Sequence, residues 1–259
     1  MSADDVGSGL GADLRAALLA VASVPTLLVA CDVDGTLAPI VDRPSDATVH
    51  PGALHTLDAL AALPGTPVAL VSGRPLRDLR AMTQLDPSVH LVGSHGAEHG
   101  DHPMLTPTIA LVLEQVLRDI AVITDGVPGV LVEEKAVGVA VHVRLADRAD
   151  AARVTDEVLA GPALRPGVRT THGKEVVELS VVDADKGIAL DRLRADTGAD
   201  AVVFAGDDTT DEAAFARLGS TDVGIKIGSG DTAARFRVPG TDDVPVLLRL
   251  LLDARSAAR

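Results

Sequence analysis

Short apolar runs recur along the chain, and each ends at a glycine or a polar residue. The clearest lie at 26–31, 67–71 and 201–205. Unbroken apolar runs of this length are typical of strands buried on both faces of a parallel sheet. Apolar residues across 188–193 instead predict an amphipathic helix. Strands that alternate with helices in this way predict a parallel sheet with right-handed crossovers.

The alternating pattern occupies two separate parts of the sequence. The first part runs from Thr26 to about Gly100, and the second begins at Lys186. A polar start with one short helix at 14–21 precedes them. The further elements predicted in these parts are helices at 53–63, after Pro75 and at 244–254, and a strand at 90–93.

The sequence between the two parts shows a different order of elements. A helix followed by two strands occurs twice, which predicts a small α+β domain with an antiparallel sheet. Its elements are helices at 108–123 and 150–159 and strands at 129–134, 137–144, 168–171 and 176–179. We therefore expect an α/β fold with a Rossmann-like parallel-sheet core at 26–101 and 184–259, an inserted α+β cap domain at 102–183 and an N-terminal extension at 1–25.

Two aspartates follow the first apolar run. Asp32 and Asp34 extend to the same side because side chains alternate along an extended chain. Like charges this close resist joint ionisation unless a cation lies between them or one of them carries a proton. The pair therefore predicts a metal site, an acid/base pair, or both. Gly35 permits a sharp turn and Thr36 offers a hydroxyl and an amide, so the group is suited to hold a phosphate and Mg²⁺.

Two structural alternatives apply to the aspartate pair. An ordinary Asx-rich turn that caps a strand has the same local sequence. A Ca²⁺ loop is disfavoured, because such a loop needs further oxygen ligands and a closing glutamate where this chain has Leu37, Pro39 and Ile40.

Three further segments carry polar residues at element ends. Ser72 follows the second run, Lys186 opens a helix, and Asp207 starts an acidic cluster after the third run. Each has a structural alternative: a Ser-Gly turn, a solvated lysine and residues that cap the next helix. The carboxyl ends of parallel strands meet at one edge, where pockets of such sheets lie. We therefore expect Asp32, Ser72 and Asp207 to lie together.

Taken in order, these segments resemble the haloacid dehalogenase superfamily of aspartate-nucleophile phosphatases. Its motifs correspond to Asp32-Val-Asp34-Gly-Thr, Ser72, Lys186 and Gly206-Asp207-Asp208. More narrowly, the chain is similar to the trehalose-6-phosphate phosphatase family. The segments that carry this likeness include Val71-Ser-Gly-Arg74, Gly93-Ser-His-Gly-Ala-Glu98, Gly173-Lys174 with Glu178, Gly206-Asp-Asp-Thr-Thr-Asp-Glu212 and Val223-Gly-Ile-Lys-Ile-Gly228. The chain departs from the family pattern at Val33, Glu134 and Val143.

The resemblance implies a Mg²⁺-dependent phosphatase that hydrolyses trehalose 6-phosphate through an aspartyl-phosphate, the last step of trehalose biosynthesis. It implies that Asp32 is the nucleophile and Asp34 the acid/base, and that Ser72 and Lys186 bind phosphate. It implies Mg²⁺ ligands from Asp32, the Asp34 backbone carbonyl and Asp207. Asp208 and Asp211 would orient waters or Lys186, or cap the following helix. The implied sugar contacts are Ser94, His95, Glu98, Lys135, Arg144, Lys174 and Glu178.

Two other functions remain open at this point. A hydrolase of the same superfamily that acts on another phosphorylated sugar or a phosphorylated glycerate would have the same core chemistry. A non-catalytic protein that binds a sugar phosphate is disfavoured, because loss of function is expected to remove the nucleophile or the acid, and Asp32 and Asp34 are both present.

Composition limits the classes of binding partner and the cellular location that we expect for this protein. The net charge of −14 argues against nucleic acid, which is bound through clustered lysine and arginine. Cys31 is the only cysteine, so no intrachain disulfide can form. No apolar stretch is long enough to cross a bilayer, and the acidic first residues differ from a secretory signal. We expect a cytoplasmic protein without a membrane partner; the sequence does not determine its oligomeric state, and a monomer is compatible with it. With neither Trp nor Tyr, it should hold a sugar by hydrogen bonds and charge.

Overall fold

The computed structural model describes residues 10–41, 46–100, 102–103, 106–173 and 175–258. The chain divides into two compact units. The first is Met1–Gly100 with Ala184–Arg259, and the second is Asp101–Asp183.

The described residues form strands and helices in the predicted alternation. The strands are β1 (Leu27–Cys31), β2 (Val68–Val71), β3 (His90–Gly93), β4 (Glu98–His99), β5 (His102–Pro103), β6 (Leu131–Lys135), β7 (Gly138–His142), β8 (Arg169–Gly173), β9 (Val176–Ser180), β10 (Ala201–Gly206), β11 (Val223–Ile227) and β12 (Phe236–Val238). The α-helices are α1 (Ala12–Val21), α2 (Pro51–Ala61), α3 (Leu76–Thr83), α4 (Pro107–Thr124), α5 (Arg148–Ala160), α6 (Lys186–Thr197), α7 (Thr209–Phe215) and α8 (Asp243–Ala257). Within the described part of the chain, no helix has both the length and the apolar character needed to span a membrane.

The sheet of the first unit confirms the predicted α/β class. Its strands lie in the order β12-β11-β10-β1-β2-β3-β4. All neighbours from β12 to β3 are parallel, whereas β4 runs antiparallel to β3. The central strand β1 places Cys31 opposite Ala205 of β10 and Leu70 of β2. The loops that follow β1, β2 and β10 therefore leave the sheet at the same edge.

Helices cover both faces of this sheet. Along β1, Leu27, Val29 and Cys31 belong to one apolar cluster, which also contains buried residues of α1, α2 and α8. Leu28 and Ala30 belong to a second cluster with buried residues of α6 and α7. Because both faces are buried, the strand shows an unbroken apolar run rather than an alternating one.

Arg255 stabilises the opposite edge of the same sheet. It lies near the end of α8 and is 1% exposed. Its guanidinium donates to the Thr66 hydroxyl and to the carbonyls of Ala22, Val24, Pro25 and Gly65. These partners precede β1 and β2, so one side chain joins the segments that lead into the two central strands.

The second unit has an antiparallel sheet in the order β6-β7-β9-β8. The strand β7 is buried from Gly138 to Val141, and alternate residues of β9, Val177 and Leu179, are buried, as are Ile120 of α4 and Val154 of α5. The strand β8 is exposed throughout. The order of helices and strands is the one that the pattern between 102 and 183 predicts.

Candidate active site

The loop after β1 carries the first aspartate pair. Asp32 follows β1 directly and is 3% exposed. Its amide donates to the carbonyl of Ala205 at 2.9 Å, which extends the pairing of β1 with β10. The chain then turns at Gly35, where φ is +81°. A Cβ atom on Gly35 would lie 2.0 Å from Oδ2 of Asp207, so glycine alone allows the turn to approach that carboxylate.

Lys186 lies between two buried carboxylates. Its Nζ is 2.8 Å from Oδ1 of Asp32 and 2.7 Å from Oδ1 of Asp211. Lys186 is the first residue of α6, and the Asp185 side chain caps that helix by accepting from the Ile188 amide. Burial acts to lower the pKa of Lys186, but the attraction of both carboxylates outweighs it and raises the pKa. The alternative of a solvated lysine at a helix start is therefore wrong.

Asp211 organises the loop between β10 and α7. Its Oδ2 accepts from the amides of Asp207 and Asp208, each at 2.9 Å, while its Oδ1 accepts from Lys186. Asp208 caps α7 through the amide of Thr209, and the two aspartates form a reciprocal capping box. The helix-capping alternative thus describes both residues, and Asp211 in addition holds Lys186.

Asp207 lies beside this cluster and is half-buried. The Thr36 hydroxyl lies 3.4 Å from its Oδ1. The ammonium group of Lys226, a buried residue of β11, donates to its backbone carbonyl. Lys226 has no role predicted from the sequence, although a lysine within an otherwise apolar strand is a signal that could have drawn attention to it.

The carboxylates fit a divalent cation. Oxygens of Asp32, Asp207 and Asp211 all lie within 4.8 Å of one another. Burial raises the pKa of Asp32 to about 8, with Lys186 opposing the shift and Asp211 adding to it. Burial and the Asp211 charge also raise the pKa of Asp207. A hard cation would offset this repulsion. Because Asp211 already accepts from Lys186 and two amides, Asp32 and Asp207 are the carboxylates available to it.

The loop after β2 contributes a hydroxyl and a guanidinium. Ser72 is buried, and its Oγ accepts from the Arg74 amide at 3.1 Å. Arg74 donates from Nε to Oδ2 of Asp34 and from Nη2 to Oδ1, both at 2.6 Å. Arg74 has no role predicted from the sequence, and only its place in the Ser-Gly-Arg segment at a strand end could have pointed to one.

One cavity of about 330 Å³ joins these groups. Its lining residues are Asp32, Asp34, Ser72, Gly73, Arg74, His95, Lys186, Asp208 and Thr210. Asp207 instead lines a neighbouring cavity of about 440 Å³ together with Gly35. Motif residues from four separate segments of the sequence therefore meet at the carboxyl edge of the sheet. Asp207 belongs to the same edge but lines the neighbouring cavity.

The segment after β3 has an unusual backbone. Ser94 and His95 have φ values of +49° and +56°, which residues other than glycine rarely adopt. The His95 amide donates to the Ser72 carbonyl at 2.9 Å, and its ring lies against Gly73, where a Cβ atom would be 2.5 Å from Cε1. Ser94 donates to Glu98 at 2.5 Å. Of the three sugar contacts expected in this segment, His95 lines the cavity, while Ser94 and Glu98 bind each other beside it.

The second unit contains the other expected sugar contacts. Lys135 of β6 and Glu178 of β9 form an ion pair at 2.7 Å. Arg144 has a side chain that is 81% exposed and lies 3.8 Å from Glu175. Lys174 lies outside the described residues. The structure thus pairs Lys135 with Glu178 and places Arg144 near Glu175; their binding of a sugar stays a prediction.

Two curated proteins with a similar sequence are named as phosphatases. The trehalose-phosphate phosphatases of Mycobacterium ulcerans and Mycobacterium marinum are each 39% identical to this chain over 231 residues. The match covers 83% of this chain and 58% of each relative. The chain therefore spans somewhat more than half the length of these proteins.

Solved structures show the same fold. The Aspergillus fumigatus trehalose-6-phosphate phosphatase superposes with a TM-score of 0.70 at 26% identity, over 92% of this chain and 97% of that one. The C-terminal domain of the C. albicans enzyme of that name also reaches 0.70, over 94% of this chain and 98% of that one; at 22% identity it shows the fold alone. The trehalose-phosphatase family model matches residues 30–242, which span every core motif and the second unit. The resemblance seen in the motifs is confirmed, and the chain belongs to the trehalose-phosphatase family.

Proposed function

We propose that this chain is a Mg²⁺-dependent phosphatase that hydrolyses trehalose 6-phosphate to trehalose and inorganic phosphate, with Asp32 as the nucleophile. The observation that carries the proposal is the single cavity in which Asp32, Asp34, Ser72 and Lys186 meet. The trehalose-phosphate phosphatases among its relatives support the choice of sugar.

The first step transfers the phosphoryl group to the protein. The Ser72 hydroxyl and the Lys186 ammonium group bind non-bridging phosphate oxygens. An Asp32 carboxylate oxygen attacks phosphorus, and the bond from phosphorus to the sugar oxygen breaks. The departing oxygen takes a proton from the Asp34 carboxyl group, so trehalose leaves as an alcohol. The product on the protein is an aspartyl-phosphate at Asp32.

The second step releases phosphate. Asp34, now a carboxylate, accepts a proton from a water molecule whose oxygen attacks phosphorus. The bond between phosphorus and the Asp32 oxygen breaks, and the Asp32 carboxylate is restored. Lys186 keeps its contact with Asp211 throughout, so its charge stays beside the reacting phosphate.

Asp32, Asp207 and the backbone carbonyl of Asp34 are the groups that would hold Mg²⁺. When bound, the ion neutralises negative charge so that the Asp32 carboxylate can approach an anionic phosphate. Asp211 fixes the amides of Asp207 and Asp208, and Lys226 fixes the Asp207 carbonyl. The loop is thereby ordered by the chain's own residues.

We further propose that residues 102–183 act as a cap domain that selects the sugar. Lys135, Arg144, Lys174 and Glu178 are the side chains that would contact it. The ion pair of Lys135 with Glu178 supports this, because a paired lysine and glutamate offer both donors and acceptors to hydroxyl groups. Action in the cytoplasm stays a prediction.

A substrate panel tests the proposed function. Phosphate release is measured with Mg²⁺ from trehalose 6-phosphate, glucose 6-phosphate, sucrose 6-phosphate and mannosyl-3-phosphoglycerate at equal concentrations. We expect the highest kcat/KM with trehalose 6-phosphate. Faster release from another substrate would keep the phosphatase chemistry and reject the assigned sugar. No release from any of them would reject the phosphatase.

A further inference from the structure

The contact between Arg74 and Asp34 has the geometry of a fork. Two guanidinium nitrogens each meet a different carboxylate oxygen at 2.6 Å. Such a bidentate pair fixes the plane and the direction of the carboxylate as well as its distance. The side chains of Arg74 and Asp34 are 15% and 38% exposed.

The backbone of Arg74 is held in place by hydrogen bonds to two loops. Its amide donates to Ser72 Oγ at 3.1 Å, and its carbonyl accepts from the Ser94 amide at 2.8 Å. Gly93 lies so close that a Cβ atom there would be 2.9 Å from the Arg74 carbonyl oxygen. The backbone of Arg74 is therefore held by its own loop and by the loop after β3. Because the Arg74 backbone is fixed at both its amide and its carbonyl, the fold sets the direction in which the guanidinium points.

Asp34 needs this outside support. It lies in the turn that Gly35 opens, and outside that turn Arg74 is the partner recorded for its carboxylate among the described residues. A free aspartate side chain rotates about two torsions, and proton transfer requires the carboxylate within hydrogen-bond reach of the reacting group. Each carboxylate oxygen has a second lone pair, so the fork leaves acceptor capacity for a water molecule.

We propose that Arg74 is a positioning residue that holds the Asp34 carboxylate in the orientation in which it accepts the proton from the attacking water. The inference rests on the proposed function, in which Asp34 is the base for hydrolysis of the aspartyl-phosphate. Lysine cannot replace the arginine, because an ammonium group lacks the planar pair of donors.

Arg74 acts on the second step, so its loss should leave a phosphorylated protein. We compare wild type with Arg74→Met and Arg74→Lys, using 4-nitrophenyl phosphate and Mg²⁺. We expect steady-state turnover to fall about tenfold or more, up to the roughly 10²–10⁴-fold that a general base contributes. The first turnover should stay within about threefold of wild type, because nitrophenolate leaves without a proton. A burst of nitrophenolate should therefore precede slow turnover, and acid quenching should recover more covalent phosphate than from wild type.

The design includes controls for fold and for charge. Arg77→Met removes a neighbouring arginine whose side chain is 85% exposed and paired only with Asp78 in the described contacts; it should behave as wild type. Thermal unfolding of each variant reports on the fold, and Arg74→Lys retains the charge if Arg74→Met fails to fold. Added methylguanidinium should restore turnover to Arg74→Ala.

The outcomes separate the two proposals. Unchanged turnover in both Arg74 variants, or a loss that slows the first turnover equally and leaves no extra covalent phosphate, overturns the role of Arg74. Covalent phosphate in wild type would then still support the proposed chemistry. If wild type turns over without any covalent phosphate and Asp32→Asn stays active, the proposed covalent mechanism is rejected, and the role of Arg74 is rejected with it.

Discussion

Two buried cations occupy opposite edges of the core sheet, and their partners differ. Lys186 is 2% exposed and lies between the carboxylates of Asp32 and Asp211. Arg255 is 1% exposed and donates to one hydroxyl and four carbonyl oxygens. One cation is thus neutralised by charges, one of which is the proposed nucleophile. The other is solvated by fixed dipoles.

The difference separates chemistry from stability. An arginine surrounded by neutral oxygens makes several charge-assisted hydrogen bonds and leaves no anion to react. A lysine shared by two carboxylates is a compact charge that a phosphate oxygen can also contact. We infer that the carboxyl edge of the sheet is arranged for transfer of a charged group, and the amino edge to hold the strands in place. Each edge can be tested by removing its cation.

Removal of Lys186 should cause the largest change. In Lys186→Met the phosphate would lose a buried positive charge, and Asp32 and Asp211 would repel each other. By analogy with the loss of one preorganised donor, kcat should fall by about 10³-fold. Steady-state kinetics with trehalose 6-phosphate checks this, and near-normal kcat would contradict the role of Lys186 in phosphate binding.

Removal of Arg255 should affect stability instead. Arg255→Met leaves several carbonyls without a donor, and each buried polar group left unsatisfied costs about 1–3 kcal/mol in the free energy of unfolding. The midpoint of urea unfolding should fall accordingly, while kcat per folded molecule stays at the wild-type value. Equal stability of the variant would mean that water replaces the guanidinium.

Mg²⁺ should stabilise the carboxyl edge by a smaller amount. A ligand that binds only the folded protein at a hundredfold excess over Kd adds about 2.7 kcal/mol. Addition of Mg²⁺ should therefore raise the Tm of wild type and of Asp78→Asn, a matched surface change. It should have little effect on Asp207→Asn. An equal rise in all three proteins would place the ion elsewhere.

The smallest effect should come from His90, at the start of β3. Burial, followed by the nearby His99, lowers its pKa from 6.5. The unfolded chain therefore binds more protons than the folded one between the lowered pKa and 6.5. Stability should rise with pH across that window and fall as pH drops through it. His90→Gln should show a flatter dependence of the unfolding midpoint on pH below 6.5; an identical dependence would assign the effect to other groups.

The sequence could predict the strands and the motif positions for a physical reason. Strands buried on both faces must be apolar throughout, so the polar residue that ends each run is conspicuous, as at Asp32 and Ser72. The short strands β4 and β12 escaped prediction because two or three residues show no periodicity, and β11 was recognised only as part of a family motif and not as a strand.

The contacts that hold the site residues in place could not be predicted from the sequence. Arg74 and Asp34 are 40 positions apart, and their pairing depends on two loops that meet only in the folded chain. Arg255 lies in the last turn of a helix, where arginine is common, and its partners at Ala22 and Val24 are 233 and 231 positions away. Such a side chain gives no local signal of its burial.

The nucleophilic role of Asp32 is the central claim, and trapping of the covalent intermediate tests it most directly. Wild type and Asp32→Asn are mixed with Mg²⁺ and phosphorus-labelled trehalose 6-phosphate, quenched in acid within the first turnover and digested for peptide mapping. We expect label on the peptide that contains Asp32 in wild type, and neither label nor turnover in the variant. Turnover of Asp32→Asn near the wild-type rate, or label on another residue, would contradict the account.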